Sequence, residues 1–333
     1  MRMARAAYFM QAMHQGLRAA MEEDETVIVM GEDVDRGVFG VTRGLIETFG
    51  ANRIRKTPIS EAAFVGAAVG AAAAGLRPFA HVMFSSFFYV AMDQVANQAA
   101  RLRYMSGGQV ELPIVYFAGT GPSGSAAAQH SENPHSILMH TAGLKVVMPS
   151  TPYDAKGLMI EAIRDRNPVV FLADLRLARR REPIPGDPYA IPLGVADVKR
   201  EGEDVTVVAL ASLVHVALDV AGKLDEEGIS VEVIDPRSLV PFDWDTIVAS
   251  VRKTGRLVVA DPARRLCGLG AEVVAGVSER AWDSLRTRPR RVTWPDIPVP
   301  FSPVLEERLD VGADDVEEAI RATLGERAAA GSA

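Results

Sequence analysis

Short runs of β-branched residues alternate with helical patterns along almost the whole chain, and this alternation most constrains the fold. In the first half the pattern predicts strands at 27–30, 77–83, 113–117, 144–148 and 168–172. Between them it predicts helices at 6–22, 62–74, 89–104 and 152–165. Strands separated by single helices are typical of a mainly parallel sheet with helices on both faces.

A second alternating unit follows a segment of different character. Residues 176–189 carry three consecutive arginines and several prolines without periodicity, which indicates an interdomain linker. After this segment the pattern predicts strands at 204–210, 231–234 and 256–260. It also predicts a helix that ends at 228 and further helices at 244–253, 271–285 and 314–324. We therefore expect an α/β fold of two tandem three-layer domains. The expected parts are a first domain at 1–175, a linker at 176–198, a second domain at 199–326 and a flexible tail at 327–333.

Composition excludes several classes of protein. The 333 residues are 48% hydrophobic and 24% charged, which excludes a disordered chain. A net charge of −7 offers no basic surface for nucleic acid. The single cysteine, Cys267, excludes an internal disulfide and a paired-cysteine metal site.

Nothing in the sequence predicts a membrane span or a secretory signal. The longest apolar stretch, 62–76, is shorter than the roughly 20 residues that cross a bilayer. The basic N-terminus lacks a sustained apolar core and a small-residue cleavage site. We expect a cytoplasmic protein.

A glycine-rich loop follows the strand predicted at 113–117. Residues 119–124 fit G-x-G-x-x-G, a spacing that lets backbone N–H groups approach a dinucleotide pyrophosphate. The acid that holds the ribose hydroxyls is missing, because the next strand is followed by Pro149 and Ser150. We favour a structural turn, and binding of nicotinamide by this loop remains an alternative.

Histidines and one carboxylate are the other candidate chemical groups. His130, His135 and His140 are five residues apart, so their rings would diverge around a helix rather than share a metal ion. A single functional histidine fits better, with a structural role for His140. Glu61 stands at the head of the helix predicted at 62–74, where it either caps the helix or is held as an ion for chemistry.

Several short motifs extend over nearly the whole chain. They are Gly31-Glu-Asp-Val34, Thr57-Pro-Ile-Ser-Glu61, Asp93-Gln94, Tyr104-Met-Ser-Gly-Gly108, Ala128-Gln-His-Ser131, Gly143-Leu-Lys-Val-Val147, Asp154-Ala-Lys-Gly157, Arg164-Asp-Arg-Asn-Pro168 and Ile297-Pro-Val-Pro-Phe301. In this order they resemble the β subunit of thiamine-diphosphate-dependent 2-oxo acid dehydrogenases, the E1 component. The resemblance implies a transketolase-like pyrimidine-binding domain followed by a transketolase C-terminal domain.

The resemblance also implies roles for four residues. Glu61 matches the glutamate that hydrogen-bonds N1′ of the aminopyrimidine and favours the imino tautomer, whose nitrogen removes the thiazolium proton. Phe87 matches the aromatic residue that stacks on the pyrimidine ring, and Glu32 matches an acidic residue near the cofactor and the subunit boundary. His130 matches a histidine near the thiazolium that donates a proton during acyl transfer to lipoamide or positions the substrate.

Two further implications concern cations. In some members of the family a structural potassium ion is held largely by backbone carbonyls, at positions that match Ile114, Ala162, Ile163, Asp165 and Asn167. The diphosphate and magnesium motif of the family, Gly-Asp-Gly followed by paired asparagines, is absent from this sequence. We therefore expect an α subunit to supply those groups in an α2β2 heterotetramer. We expect this chain to be inactive alone. The glycine-rich helix from Ala62 is expected near the subunit boundary.

Departures from the family pattern leave the substrate open. Ser131-Glu-Asn-Pro134 and His140-Thr-Ala-Gly143 differ from most members, and 260–268 is closer to acetoin-dehydrogenase β subunits. The expected function is 2-oxo acid decarboxylation with acyl transfer to the lipoamide of E2. The alternatives are acetoin cleavage, acyloin formation by the same α/β pair, and a non-catalytic scaffold subunit. The joint presence of Glu61, Phe87 and His130 favours an enzyme.

Overall fold

The computed structural model describes residues 5–122 and 124–325. The described residues divide into two compact units: unit 1 comprises 5–122, 129–193 and 239–241, and unit 2 comprises 124–128, 194–238 and 242–325. The tail predicted at 327–333 lies outside the described residues. Within the described ranges, no helix is long and apolar enough to cross a membrane.

Strands and helices alternate in both units. The strands are β1 (Arg5–Tyr8), β2 (Val27–Gly31), β3 (Ile54–Lys56), β4 (Arg77–Phe84), β5 (Val115–Thr120), β6 (Lys145–Val147), β7 (Val169–Asp174), β8 (Arg181–Ile184), β9 (Asp197–Arg200), β10 (Val205–Ala209), β11 (Val231–Asp235), β12 (Ser238–Val240), β13 (Leu257–Arg264) and β14 (Arg290–Trp294). The α-helices are α1 (Phe9–Glu23), α2 (Leu45–Phe49), α3 (Glu61–Ala73), α4 (Ala100–Met105), α5 (His135–His140), α6 (Pro152–Arg164), α7 (Ser212–Asp225), α8 (Trp244–Thr254), α9 (Leu269–Ala281), α10 (Pro303–Leu309) and α11 (Ala313–Gly325).

A mainly parallel sheet forms the centre of unit 1. Among the described residues its strand order is β12-β6-β7-β5-β4-β2-β3, and the pairs from β6 to β3 are parallel. The Tyr116 hydroxyl on β5 donates to the Val65 carbonyl of α3, which places that helix against the sheet. Helices α1 and α6 approach closely at Gly16, where a Cβ would lie 2.8 Å from the Lys156 carbonyl oxygen. A larger residue there would separate the two helices.

Side-chain alternation places helices on both faces of the sheet in unit 2. Its described strands follow the order β14-β13-β10-β11-β9, with only β9 antiparallel to its neighbour. Val205 and Val207 of β10 belong to the apolar core that includes α7 and α11. Thr206 points to the other face, where its hydroxyl bonds to Ser250 and Thr254 of α8. The period of two along the strand thus separates the two helical layers.

The predicted α/β class with mainly parallel sheets and flanking helices is confirmed. The predicted start of the first helix is wrong, because 5–8 form β1, which pairs antiparallel with β8 at 181–184. The prediction also missed β14 and α10, which begins with Pro303 at a position where helices tolerate proline. In the helix predicted at 89–104, a π-helical segment at 93–99 precedes α4.

Candidate functional site

The candidate residues follow three neighbouring parallel strands of unit 1. They therefore lie at one edge of the sheet, the edge formed by the carboxyl ends of its strands. Glu32 follows the last residue of β2, Phe87 lies just beyond β4, and His130 lies in the loop after β5. The register pairs Gly31 with His81 and Phe84 with Gly119, so these strands end side by side. The carboxyl ends of parallel strands are the usual position of ligand sites in α/β folds.

A close backbone contact fixes the position of Glu32. Gly31 has φ +145°, and a Cβ there would lie 2.5 Å from the carbonyl oxygen of His81 on β4. Only glycine therefore fits at this point, since any side chain would push the two strands apart. Glu32 leaves the sheet immediately after this contact.

Glu32 lies within the electrostatic influence of Glu61. Partial burial, and then the negative charges of Asp33 and Glu61, raise the pKa of Glu32 above its usual value, while Lys56 acts in the opposite direction. Glu61 is half-buried at the first position of α3, with Ser60 as the N-cap residue. The backbone N–H groups of a helix N-terminus favour an ionised carboxylate at such a position.

Phe84, Phe87 and His130 form an aromatic cluster at the same edge. The His130 ring lies edge-on to Phe84 and Phe87, with ring centroids 4.8 and 5.3 Å away. Phe87 and His130 are both half-buried, so each keeps part of its ring accessible. The arrangement can offer one aromatic face and one imidazole to a common ligand.

His81 extends this cluster into the core of unit 1. Its ring lies 5.1 Å from that of Phe117 and 6.1 Å from that of Phe39, which in turn contacts Phe84. Neither ring nitrogen of His81 has a hydrogen-bond partner within the described residues. The sequence interpretation missed His81, because a histidine inside a strand carries no sign of how deeply it is buried.

Burial of His81 predicts a loss of stability in acid. Burial lowers the pKa of His81 to about 4 from a value of 6.5 in the unfolded chain. The unfolded chain therefore binds the proton first, and stability is lost as the pH falls from 6.5 towards 4. We expect the free energy of unfolding to fall by about 2 kcal/mol more in the parent than in His81→Phe between pH 7.5 and 5. Urea unfolding at the two pH values measures this difference. His140→Gln, at an exposed histidine, should behave as the parent, and an unchanged pH dependence in His81→Phe would contradict the prediction.

Three candidate residues have a nearby residue in the sequence whose side-chain hydroxyl is buried and has no hydrogen-bond partner among the described residues. Ser86 precedes Phe87, Ser131 follows His130, and Thr57 lies in the segment before Glu61. Each side-chain oxygen is buried without a hydrogen-bond partner in the ranges 5–122 and 124–325. Buried polar groups are nearly always satisfied in folded proteins. These three hydroxyls therefore remain available to a hydrogen-bond partner outside the described residues.

The residues expected around potassium lie near the end of α6 and the start of β5. The Arg77 guanidinium donates to the carbonyls of Ile163 and Asp165 at 2.9 and 3.3 Å, and the Ile114 carbonyl accepts from Val169. Burial alone would raise the pKa of Asp165, but hydrogen bonds from Lys145 and Asn167 hold it below its usual value. Both the Asp165 carboxylate and some of these carbonyls therefore already have protein donors.

The other two histidines of the set lie away from the aromatic cluster in sequence, at the two ends of α5. His135 is buried at the first position of this helix and His140 is exposed at its last. No group of three or more His, Cys, Asp or Glu side chains able to hold a metal ion occurs in the part of the chain that the structure describes.

Comparisons with known proteins identify a family model for each half of the chain. Residues 6–180 match the family model of the transketolase pyrimidine-binding domain, and 194–316 match that of the transketolase C-terminal domain. The chain is similar to a solved structure of a split-gene transketolase, described as an inactive β4 tetramer. That likeness has a TM-score of 0.79 at 24% identity and covers 97% of this chain and 98% of the other. At that identity it shows the fold alone.

Curated relatives are more similar in sequence. The β subunit of acetoin:2,6-dichlorophenolindophenol oxidoreductase from Bacillus subtilis is 43% identical, over 98% of this chain and 99% of its own. The pyruvate dehydrogenase E1 β subunit of the same organism is 44% identical, over 88% and 91%. Its 2-oxoisovalerate dehydrogenase β subunit is 40% identical, over 94% and 97%.

Proposed function

The chain belongs to the transketolase-like family of E1 β subunits, and we propose that it supplies the aminopyrimidine half of a thiamine-diphosphate site that decarboxylates a 2-oxo acid. The observation that carries the proposal is the delivery of Glu32, Glu61, Phe87 and His130 to one edge of the sheet in unit 1. The family is one of oxidoreductases whose β subunit works with an α subunit. A scaffold subunit would not require these four side chains.

The side chains suit distinct tasks toward the cofactor. Thiamine diphosphate, when bound, supplies a nucleophilic carbon and an electron sink for decarboxylation. Glu61 would hold a proton at N1′ of the aminopyrimidine, and the accessible face of Phe87 would stack on that ring. Glu32, whose pKa is raised by partial burial and by the charges of Asp33 and Glu61, would lie beside the carboxylate of Glu61. His130 would donate or accept a proton on the substrate side.

An α subunit completes the proposed site. The sequence lacks the Gly-Asp-Gly and paired-asparagine motif, and a diphosphate needs a hard cation with oxygen ligands. We therefore place Mg²⁺ and the diphosphate ligands on the α subunit of an α2β2 heterotetramer. The exposed small residues of α3, which include Ala63, Ala67 and Gly70, would allow close packing near that boundary.

Calorimetric titration of thiamine diphosphate with Mg²⁺ tests the shared site. We expect no measurable binding to this chain alone and micromolar or tighter binding to the chain co-expressed with its α subunit, because only the complex holds the diphosphate. A preparation of the α subunit alone is the control for a site that needs no β chain. Tight binding by this chain alone, or none by the complex, would contradict the proposal.

Potassium is proposed as a structural ion near the end of α6. The carbonyls of Ile163 and Asp165 accept from the Arg77 guanidinium, and that of Ile114 accepts from the Val169 N–H, so the ion would share these oxygens through their second lone pairs. Because the Asp165 side chain already accepts hydrogen bonds from Lys145 and Asn167, the ion would be held through main-chain oxygens. Repeating the titration in sodium buffer tests this part, since unchanged binding and thermal stability of the complex would exclude a potassium requirement.

The acyl group and its acceptor are further parts of the proposal. A pyruvate-like 2-oxo acid with transfer to the lipoamide of E2 is the leading choice. Acetoin cleavage is the second candidate, favoured by the acetoin relative that matches 98% of this chain. Comparing turnover of pyruvate, branched 2-oxo acids and acetoin by the reconstituted complex, with a dye as electron acceptor, distinguishes the two.

A further inference from the structure

A buried group of hydroxyls joins the ends of β4 and β5 to the segment that follows His130. Ser85, just after β4, and Thr120, the last residue of β5, are each 1% exposed, and Asn133 is 7% exposed. The Ser85 hydroxyl donates to the Glu132 carbonyl at 2.8 Å. The Thr120 hydroxyl lies 2.6 Å from Asn133 Oδ1 and 2.9 Å from the same Glu132 carbonyl.

The hydrogen bonds in this group balance. Each hydroxyl has one proton, so Ser85 satisfies the Glu132 carbonyl and Thr120 satisfies Asn133 Oδ1. The two hydroxyl oxygens are 3.0 Å apart, and the Gly121 N–H also donates to the Glu132 carbonyl, at 3.2 Å. With both acceptors paired, a buried network of this kind holds its members in a single arrangement.

Two adjacent residues of one segment therefore hold the His130 loop at two points. Phe84 contacts the imidazole of His130 edge-on, and Ser85 bonds the main chain two residues further along the loop. Thr120 fixes the next residue, Asn133, through its side chain. Among these residues, the imidazole itself contacts Phe84 and the Phe87 ring.

We propose that Thr120 is a positioning residue, which with Ser85 clips the 129–134 segment to the sheet and thereby sets the position of the His130 imidazole. This inference rests on the proposed function for its effect on catalysis, but the clip itself is a property of the folded chain. Small displacements of a catalytic group lower rates strongly, by up to about a hundredfold for about 1 Å.

Thr120→Val tests the clip because it keeps the branched shape and removes the hydroxyl that donates to Asn133 Oδ1. In the α/β complex we expect hydrogen exchange of the 129–134 amides, read by mass spectrometry, to rise by about tenfold. The kcat for lipoamide acylation should fall by about tenfold, with the KM for the 2-oxo acid unchanged within about twofold. Thr120→Ser, which restores the hydroxyl, should return both quantities to those of the parent.

Two further variants keep the test decisive. Ser85→Ala should also raise exchange in 129–134, even if Thr120→Val does not fold. Thr206→Val removes a buried hydroxyl of the same chemistry from unit 2 and should leave exchange in 129–134 unchanged. Parental exchange in both Thr120→Val and Ser85→Ala would overturn the inference, as would an equal rise across all the strands of unit 1. A parent complex that decarboxylates no 2-oxo acid would overturn the proposed function, while the exchange data would still decide the clip.

Discussion

Replacing Glu61 by glutamine in the α/β complex is expected to lower the rate constant for 2-oxo acid decarboxylation by about a thousandfold. Glutamine keeps the shape of the side chain but has no charge and cannot hold a proton between itself and N1′ of the aminopyrimidine. Glu61 lies in the first turn of α3, where a helix offers backbone N–H groups to a carboxylate. Stopped-flow or steady-state decarboxylation with a dye as electron acceptor measures the loss.

A matched control separates chemistry from surface charge. Glu22→Gln makes the same substitution at an exposed glutamate that pairs with Arg18 on α1, where the ion pair contributes little. This variant should retain parental activity. Calorimetry should show that the Glu61→Gln complex still binds thiamine diphosphate within about tenfold of the parent affinity. A Glu61→Gln complex that holds the cofactor and decarboxylates at the parental rate would refute the central role given to this residue.

The layer architecture could be predicted because it is a property of local pattern. Apolar runs of strand length separated by single helices lead to parallel sheets, and β4, β5, β7, β10 and β11 all lie within a few residues of their predicted ranges. The pairing of β1 with β8 could not be predicted in this way. Its partners are separated by more than 170 residues, and neither four-residue strand has an apolar pattern of its own.

The same distinction applies to the site. Glu61 and His130 stand in motifs of contiguous residues, so a resemblance can single them out from the sequence alone. Ser85, Thr120 and Asn133 act together only because the register of β4 and β5 brings their ends side by side. Strand register and the course of a loop are tertiary properties, so the support of His130 is visible only once the chain is folded.

The buried hydroxyls without partners and the two neighbouring glutamates are consistent with a site that other groups complete. Ser86, Ser131 and Thr57 lack partners within the described residues, although buried polar groups are costly when unsatisfied. Glu32 and Glu61 likewise hold two acids close enough for one to raise the pKa of the other. Both features are unfavourable in a chain that functions alone, and both are explained if ligand and partner groups complete this edge.

For His130→Ala we expect acyl transfer to lipoamide to suffer far more than decarboxylation. The loss should be about a hundredfold with lipoamide as acceptor, and no more than about threefold with an artificial electron acceptor. Transfer to lipoamide requires proton movement at the dithiolane sulfurs, whereas a dye takes electrons without it. An imidazole suits this task because its ordinary pKa lies near neutrality, and the half-buried ring of His130 keeps access to an incoming acceptor.

His140→Ala is the control for this prediction, since that histidine is exposed at the end of α5 and should tolerate the change in both assays. Equal losses for His130→Ala in the two assays would contradict a role in proton transfer. The imidazole would then only position the substrate, through its packing against Phe84 and Phe87. His130→Gln distinguishes these roles further, because glutamine retains a planar hydrogen-bonding group but does not titrate. If proton transfer is the function, Gln should be as defective as Ala with lipoamide; if positioning is the function, it should recover much of the rate.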